Sequence, residues 1–223
     1  MAIAEKVSKD PHIKSKIAQR QVGIAFKIIL FLSGTKTTVK GIENIPTDEP
    51  VLYVANHRGF FDIVIAYANV PTPTCFVSKK ELATVPLISW WMKRLGCLFL
   101  DRDDIKAGLK TILEGIEKVK DGYSIFIMPE GTRNSTDDVL PFHEGSFKFA
   151  QKTNCPIIPV AITNTDEVLE NHFPWIRKAD VSISFLEPVR MQDLSPEDKK
   201  FVGAYCRNII KENLEKVKSD VVK

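Results

Sequence analysis

Short apolar runs alternate with stretches of helical periodicity along most of the chain. Residues 50–56 (PVLYVAN), 74–78 (TCFVS), 96–101 (GCLFLD), 123–129 (YSIFIMP), 155–163 (CPIIPVAIT) and 181–187 (VSISFLE) read as strands buried largely on both faces. Between them, Ile105, Leu109, Ile112, Leu113, Ile116 and Val119 recur at the helical period, predicting a helix over 104–120 stopped by Asp121-Gly122. A further helix is expected from Ser195, a cap with Pro196 at the first helical position, presenting Val202, Tyr205, Ile209, Leu214 and Val217. Strands alternating with helices make an α/β fold, a mostly parallel central sheet flanked by helices. Ligands of such sheets bind beyond the strand ends.

With 223 residues and 44% apolar composition, the chain can bury one core and little more. It shows no repeat, low-complexity tract or Pro/Gly-rich linker. The expected organisation is one domain over 36–223 behind a basic, amphipathic helical segment at 1–35. Cys75, Cys97, Cys155 and Cys206 are widely spaced in apolar surroundings, without a C-x-x-C pair, and read as reduced, buried thiols of a cytosolic compartment. His12, His143 and His172 are isolated, so no metal site is expected.

Charge singles out the N-terminus. Residues 1–40 hold eight Lys or Arg against two acids, a net +6 within a whole-chain +3, so the remainder sums to −3. A basic start calls for an anionic partner, a membrane surface or nucleic acid. Gln21–Leu32 (QVGIAFKIILFL) is apolar but broken by Lys27 and shorter than the roughly 20 residues a spanning helix needs. It lacks the cleavage site of a signal peptide. Two readings stand equal here: a helix lying in the headgroup region beneath Lys14, Lys16, Arg20 and Lys27, or a helix packed on the core.

Three polar clusters fall at strand ends: His57 after 50–56, Arg102 after 96–101, and Glu130-Gly131-Thr132-Arg133 after 123–129. On one regular helix His57 and Asp62 would lie about 140° apart and never meet. They meet if His57 sits in the turn leaving the strand and Asp62 in the first turn of the next helix. The carboxylate would then orient one imidazole nitrogen and leave the other to accept a proton. By spacing alone the plainer reading prevails, a satisfied strand-end histidine followed by a helix N-terminal acid. No G-x-S-x-G elbow supplies a serine nucleophile, and no cysteine adjoins the pair in sequence, so the base would act directly on a substrate hydroxyl. Arg102 and Arg133 carry the planar fork suited to a phosphate, Gly131 and Thr132 let backbone approach an anion, and Lys79 and Lys80 extend the positive mouth. Each of these cations taken singly is equally an ordinary surface charge.

The ordered set NHRGFFD, GCLFLDR, PEGTR and CPIIPVAI, within about residues 41–187, resembles the four motifs of the glycerolipid acyltransferases, and among them the bacterial members that acylate lysophosphatidate. The resemblance implies transfer of an acyl chain from acyl-coenzyme A or acyl carrier protein, as cosubstrate with no bound cofactor, to the sn-2 hydroxyl of lysophosphatidate, forming phosphatidate. It implies His57 as general base and Asp62 as its orienting partner. Arg102, Glu130, Gly131, Thr132 and Arg133 would bind glycerol phosphate, Lys79 would add to them, and Pro159 would shape the acyl or acceptor site. Many relatives carry a hydroxyl residue where this chain has Gly59, and many have a longer apolar N-terminus. Since the substrates live in a bilayer, the resemblance favours the interfacial reading of residues 11–32, at the cytosolic face of the membrane, monotopic or peripheral. Residues 87–94 (LISWWMKR) offer a second contact or plain core aromatics.

Rival readings remain: another lysolipid as acceptor, a thioester or phospholipid hydrolase, and a silent phospholipid-binding protein. Nucleic acid is disfavoured, because no aromatics interleave with the N-terminal cations and no recognition motif occurs.

Overall fold

The structure, a computed structural model, describes residues 11–134, 136 and 138–221. The first ten residues of the N-terminal segment therefore lie outside the described residues. The chain runs α1 (Pro11–Leu32), β1 (Lys36–Lys40), β2 (Leu52–Ala55), α2 (Phe61–Asn69), β3 (Thr74–Lys79), α3 (Pro86–Arg94), β4 (Leu98–Leu100), α4 (Ile105–Lys120) and β5 (Ser124–Ile127). It continues through α5 (Lys148–Thr153), β6 (Ile157–Thr163), β7 (Asp180–Phe185), α6 (Pro196–Lys200) and α7 (Val202–Val221).

Seven strands form one sheet in the order β1-β7-β6-β2-β5-β3-β4. Only β6 and β7 pair antiparallel. The expected mostly parallel α/β sheet is what forms. The central strands β2 and β5 are buried along their whole length, as their unbroken apolar runs require. One face carries Tyr53, Phe76 and Phe126 against α1, α2 and α3; the other carries Leu52, Ile125 and Ile157 against α4, α5 and α7. Because β2, β3, β4, β5 and β6 all run the same way, the loops after them gather at one edge.

Four expectations need correction or completion. The strand β1 went unread: KTTVK has a partly exposed, alternating pattern at the sheet edge. The helix expected from Ser195 is two helices, broken at Phe201, with Ser195 capping the first through Asp198 N. Helix α4 begins one residue later than expected, at Ile105 with Asp104 as its N-cap, and buries only part of its periodic apolar set. Ile105, Leu109 and Leu113 stay 88%, 48% and 54% exposed, while Gly108, Gly115, Ile116 and Val119 are buried. The glycines let the helix approach so closely that a Cβ at Gly115 would run into Phe149 and come within 2.8 Å of Leu98 Cδ1.

The N-terminal segment, left open between two readings, packs on the core and also keeps an apolar outer side. Ala18, Val22 and Leu30 of α1 are buried, and Gln19 receives Thr74 N at 2.7 Å. Its Ile24, Ile28, Phe31 and Leu32 remain exposed. Among the described residues no helix is long and apolar enough to cross a membrane.

Gly115→Ala should destabilise the fold by about 1–3 kcal/mol, overpacking outweighing the better helix propensity of alanine. Urea unfolding checks it: a raised midpoint would mean that the helix has room to spare.

Candidate active site

The site begins at the end of β2. Asn56 is buried and bridges to β6, donating to Ile162 O at 2.9 Å and accepting from Ile162 N at 2.8 Å. The chain then leaves the sheet, and His57 and Asp62 meet as the turn-plus-first-helical-turn geometry requires. His57 Nδ1 lies 2.7 Å from Asp62 Oδ2. The same oxygen accepts Arg58 N at 2.7 Å and Gly59 N at 2.9 Å, and Oδ1 accepts the Thr165 hydroxyl. Asp62 is wholly buried, so a carboxylate there stands only because both oxygens are hydrogen-bonded. Its acceptor-only chemistry places the proton on Nδ1 and leaves Nε2 of the 21%-exposed imidazole as the acceptor.

The turn after β5 supports this histidine from behind. Glu130 is buried; its oxygens accept His57 N at 2.7 Å, Leu140 N at 2.9 Å and Asn134 Nδ2 at 3.2 Å. Burial pushes its carboxyl up despite these donors and the nearby His57. Glu130 thus meets the site through His57. Asn134 N returns to His57 O at 2.8 Å, so both peptide groups of His57 are tied to this turn.

Gly131 takes φ +75°, which a side chain would strain, and its carbonyl accepts Arg102 Nη1. Arg133 leaves the same turn in another direction, its guanidinium 4.4 Å from the Phe60 ring centre and 3.3 Å from Glu170 Oε1. Thr132 is exposed between them. Lys79 is exposed at the end of β3, separated from β2 by β5, whereas Lys80 is spent on Asp101 at 2.9 Å. Pro159 lies within β6 beside Val54. A mostly apolar cavity of about 280 Å³ lies on the α4 side of the sheet, with Val77, Ile112, Ile127, Phe149, Arg102 and Gly131 in its wall.

A segment that sequence reasoning passed over completes the site. After β6, Thr165 reaches Asp62, Asp166 grips Arg58 with bonds of 2.8 and 2.7 Å, and Glu170 Oε1 accepts Phe60 N at 2.7 Å. Glu170 Oε2 is buried with no partner among the described residues, and a Cβ at Gly59 would run into it. The room beside Gly59 is taken by that carboxylate. The acidic run after β6 was the available signal, since it too follows a strand end.

No side chain among the described residues other than Asp62 is hydrogen-bonded to the His57 ring. All four cysteines are free and buried, and burial pushes Cys75 and Cys206 up to about 12 and raises Cys97 and Cys155. Among the described residues no cluster of His, Cys, Asp or Glu is arranged to hold a metal ion.

A family model described as Acyltransferase matches residues 36–163. The chain belongs to the acyltransferase family. It is 31% identical to the 1-acyl-sn-glycerol-3-phosphate acyltransferase of Borreliella burgdorferi, over 86% of this chain and 77% of that protein. The Escherichia coli enzyme of the same name is 29% identical over 79% of this chain and 73% of its own. The crystal structure of the 1-acyl-sn-glycerophosphate (LPA) acyltransferase of Thermotoga maritima superposes with a TM-score of 0.84 at 27% identity, covering 97% of this chain and 86% of that one. Other relatives are longer: the match spans 60% of the Saccharomyces cerevisiae protein and 45% of the Brassica napus one.

The Asp166–Arg58 pair carries a pH signature. Burial would raise the Asp166 carboxyl, but the bonds and charge of Arg58 outweigh it and hold it below its ordinary 3.8. Its contribution is full above that value and is lost as pH falls through the lowered folded value. Asp166→Asn should cost about 2 kcal/mol at neutral pH. The gap between variant and parent in urea unfolding should narrow in acid; a gap constant with pH would contradict the assignment.

Proposed function

We propose that the chain transfers an acyl group from an acyl thioester to the sn-2 hydroxyl of lysophosphatidate, producing phosphatidate. The observation that carries this reading is the His57 ring, bonded at Nδ1 by a buried carboxylate and left open at Nε2. In this reading Nε2 removes the hydroxyl proton as the oxygen attacks the thioester carbonyl, and Asp62 stabilises the imidazolium so formed. The tetrahedral adduct collapses by breaking the carbon–sulfur bond. The proton held on Nε2 passes to the departing thiolate, and no acyl-enzyme forms.

Arg133, Arg102 and the Gly131-Thr132 backbone contact the acceptor phosphate, with Lys79 adding positive potential from β3. Glu130 holds His57 in place. The cavity walled by Val77, Ile112, Ile127 and Phe149 offers apolar room for an acyl chain. Coenzyme A and acyl carrier protein both remain as carriers. The exposed Ile24, Ile28, Phe31 and Leu32 of α1, with Leu87, Ile88 and Trp90 of α3, support seating on the cytoplasmic face of the membrane, where the basic residues of the N-terminal segment meet anionic lipid. The names of the relatives support the acceptor; a water nucleophile is the competing chemistry.

The test is thiol release from acyl-coenzyme A in mixed micelles, with and without lysophosphatidate, while phosphatidate is followed by chromatography. Release should require lysophosphatidate and match phosphatidate formed. Release without phosphatidate would make the protein a hydrolase. His57→Ala should lower the rate about 10²–10⁴-fold in protein that still folds cooperatively; wild-type turnover in that variant would refute the mechanism.

A further inference from the structure

We propose that Phe173–Lys178 is a lipid-docking knuckle that seats the mouth of the active site on the bilayer, so that the acceptor enters past Phe60. The proposal rests on the function above only in naming the lipid that travels this route.

Phe173, Trp175 and Ile176 are 75%, 71% and 55% exposed. Their backbone is nonetheless fixed: Trp175 N donates to His172 O and Arg177 N to Val168 O, each at 2.9 Å, and Val168 is buried in the core. The loop therefore holds three large apolar side chains outward instead of folding them in. Such a patch marks a contact surface.

Both ends of the knuckle are anchored to places that matter. Three residues before Phe173, Glu170 accepts Phe60 N and pairs with Arg133. At the other end, Lys178 lies against Gly34, with its Cβ 3.2 Å from where a Gly34 Cβ would be, and Lys36 N donates to Ala179 O at 3.0 Å. Gly34 is the second residue after the end of α1, where Phe31 and Leu32 are 81% and 76% exposed. The knuckle thus runs from the site mouth to the exposed apolar end of α1.

The occupant follows from composition. Two aromatics and an isoleucine followed by exposed Arg177 and Lys178 match the depth of a lipid headgroup layer, with rings at the interface and cations on lipid phosphates. A second copy of this chain would bring the same cations face to face, which disfavours self-pairing. Phe60, half exposed beneath the Arg133 guanidinium, then lies where a lipid leaving the bilayer would meet the site.

The chain has three tryptophans, so W90F/W91F leaves Trp175 as sole reporter. Phosphatidylcholine vesicles with phosphatidylglycerol, brominated near the headgroup end of the acyl chains, should blue-shift and quench Trp175. An unquenched Trp175 on protein that co-sediments with the vesicles, or no co-sedimentation at all, would overturn the proposal. The substitutions Trp175→Ser and Ile176→Ser together should slow acylation of vesicle-embedded lysophosphatidate about 10-fold or more. They should leave acylation of a short-chain, monomeric lysophosphatidate unchanged. Equal losses on both acceptors would assign the loop a structural role and overturn the proposal. If the parent chain acylates neither acceptor, the proposed function fails, while the quenching still decides the docking.

Discussion

The site is organised around one buried carboxylate. Asp62 has no exposure to solvent, and an isolated charge there would be prohibitively costly. It is sustained by four donors from two parts of the chain: His57 Nδ1, Arg58 N, Gly59 N and the Thr165 hydroxyl. The same bonds shape the turn between β2 and α2, orient the imidazole and pull the segment after β6 against it. The carboxylate that orients the His57 ring is therefore also what folds the loop carrying it.

Around this centre the elements at the carboxyl edge of the sheet take complementary parts. The turn after β5 holds both peptide groups of His57 through Glu130 and Asn134. The segment after β6 grips Arg58 with Asp166 and meets Arg133 with Glu170. The His57 ring is thus held by rigid scaffold on both sides, the condition under which positioned groups act most strongly. Arg102 and Arg133 attach to one turn but point to different surroundings, one beside the apolar cavity and one over Phe60.

Much of this was legible in the sequence where local pattern and tertiary environment agree. Unbroken apolar runs marked the central strands because those strands are buried on both faces, and the rule that ligands gather at strand ends led to His57, Arg102 and residues 130–133. Pattern failed where packing is carried by what a residue lacks. Gly108 and Gly115 seat α4 against the sheet, so the periodic Leu109 and Leu113 are exposed. It failed again where the partner is remote. Thr165, Asp166 and Glu170 act across separations of 103, 108 and 110 residues, which no local window registers. Edge position concealed β1, whose alternation is too polar to read as core.

The most direct test of this account is the protonation pattern of the His57 ring, read from its nitrogen chemical shifts in isotope-labelled protein at a pH where the ring is neutral. The account predicts a proton on Nδ1, shared toward Asp62, and a bare Nε2. A neutral ring protonated at Nε2 would leave no acceptor for the substrate hydroxyl and would contradict it.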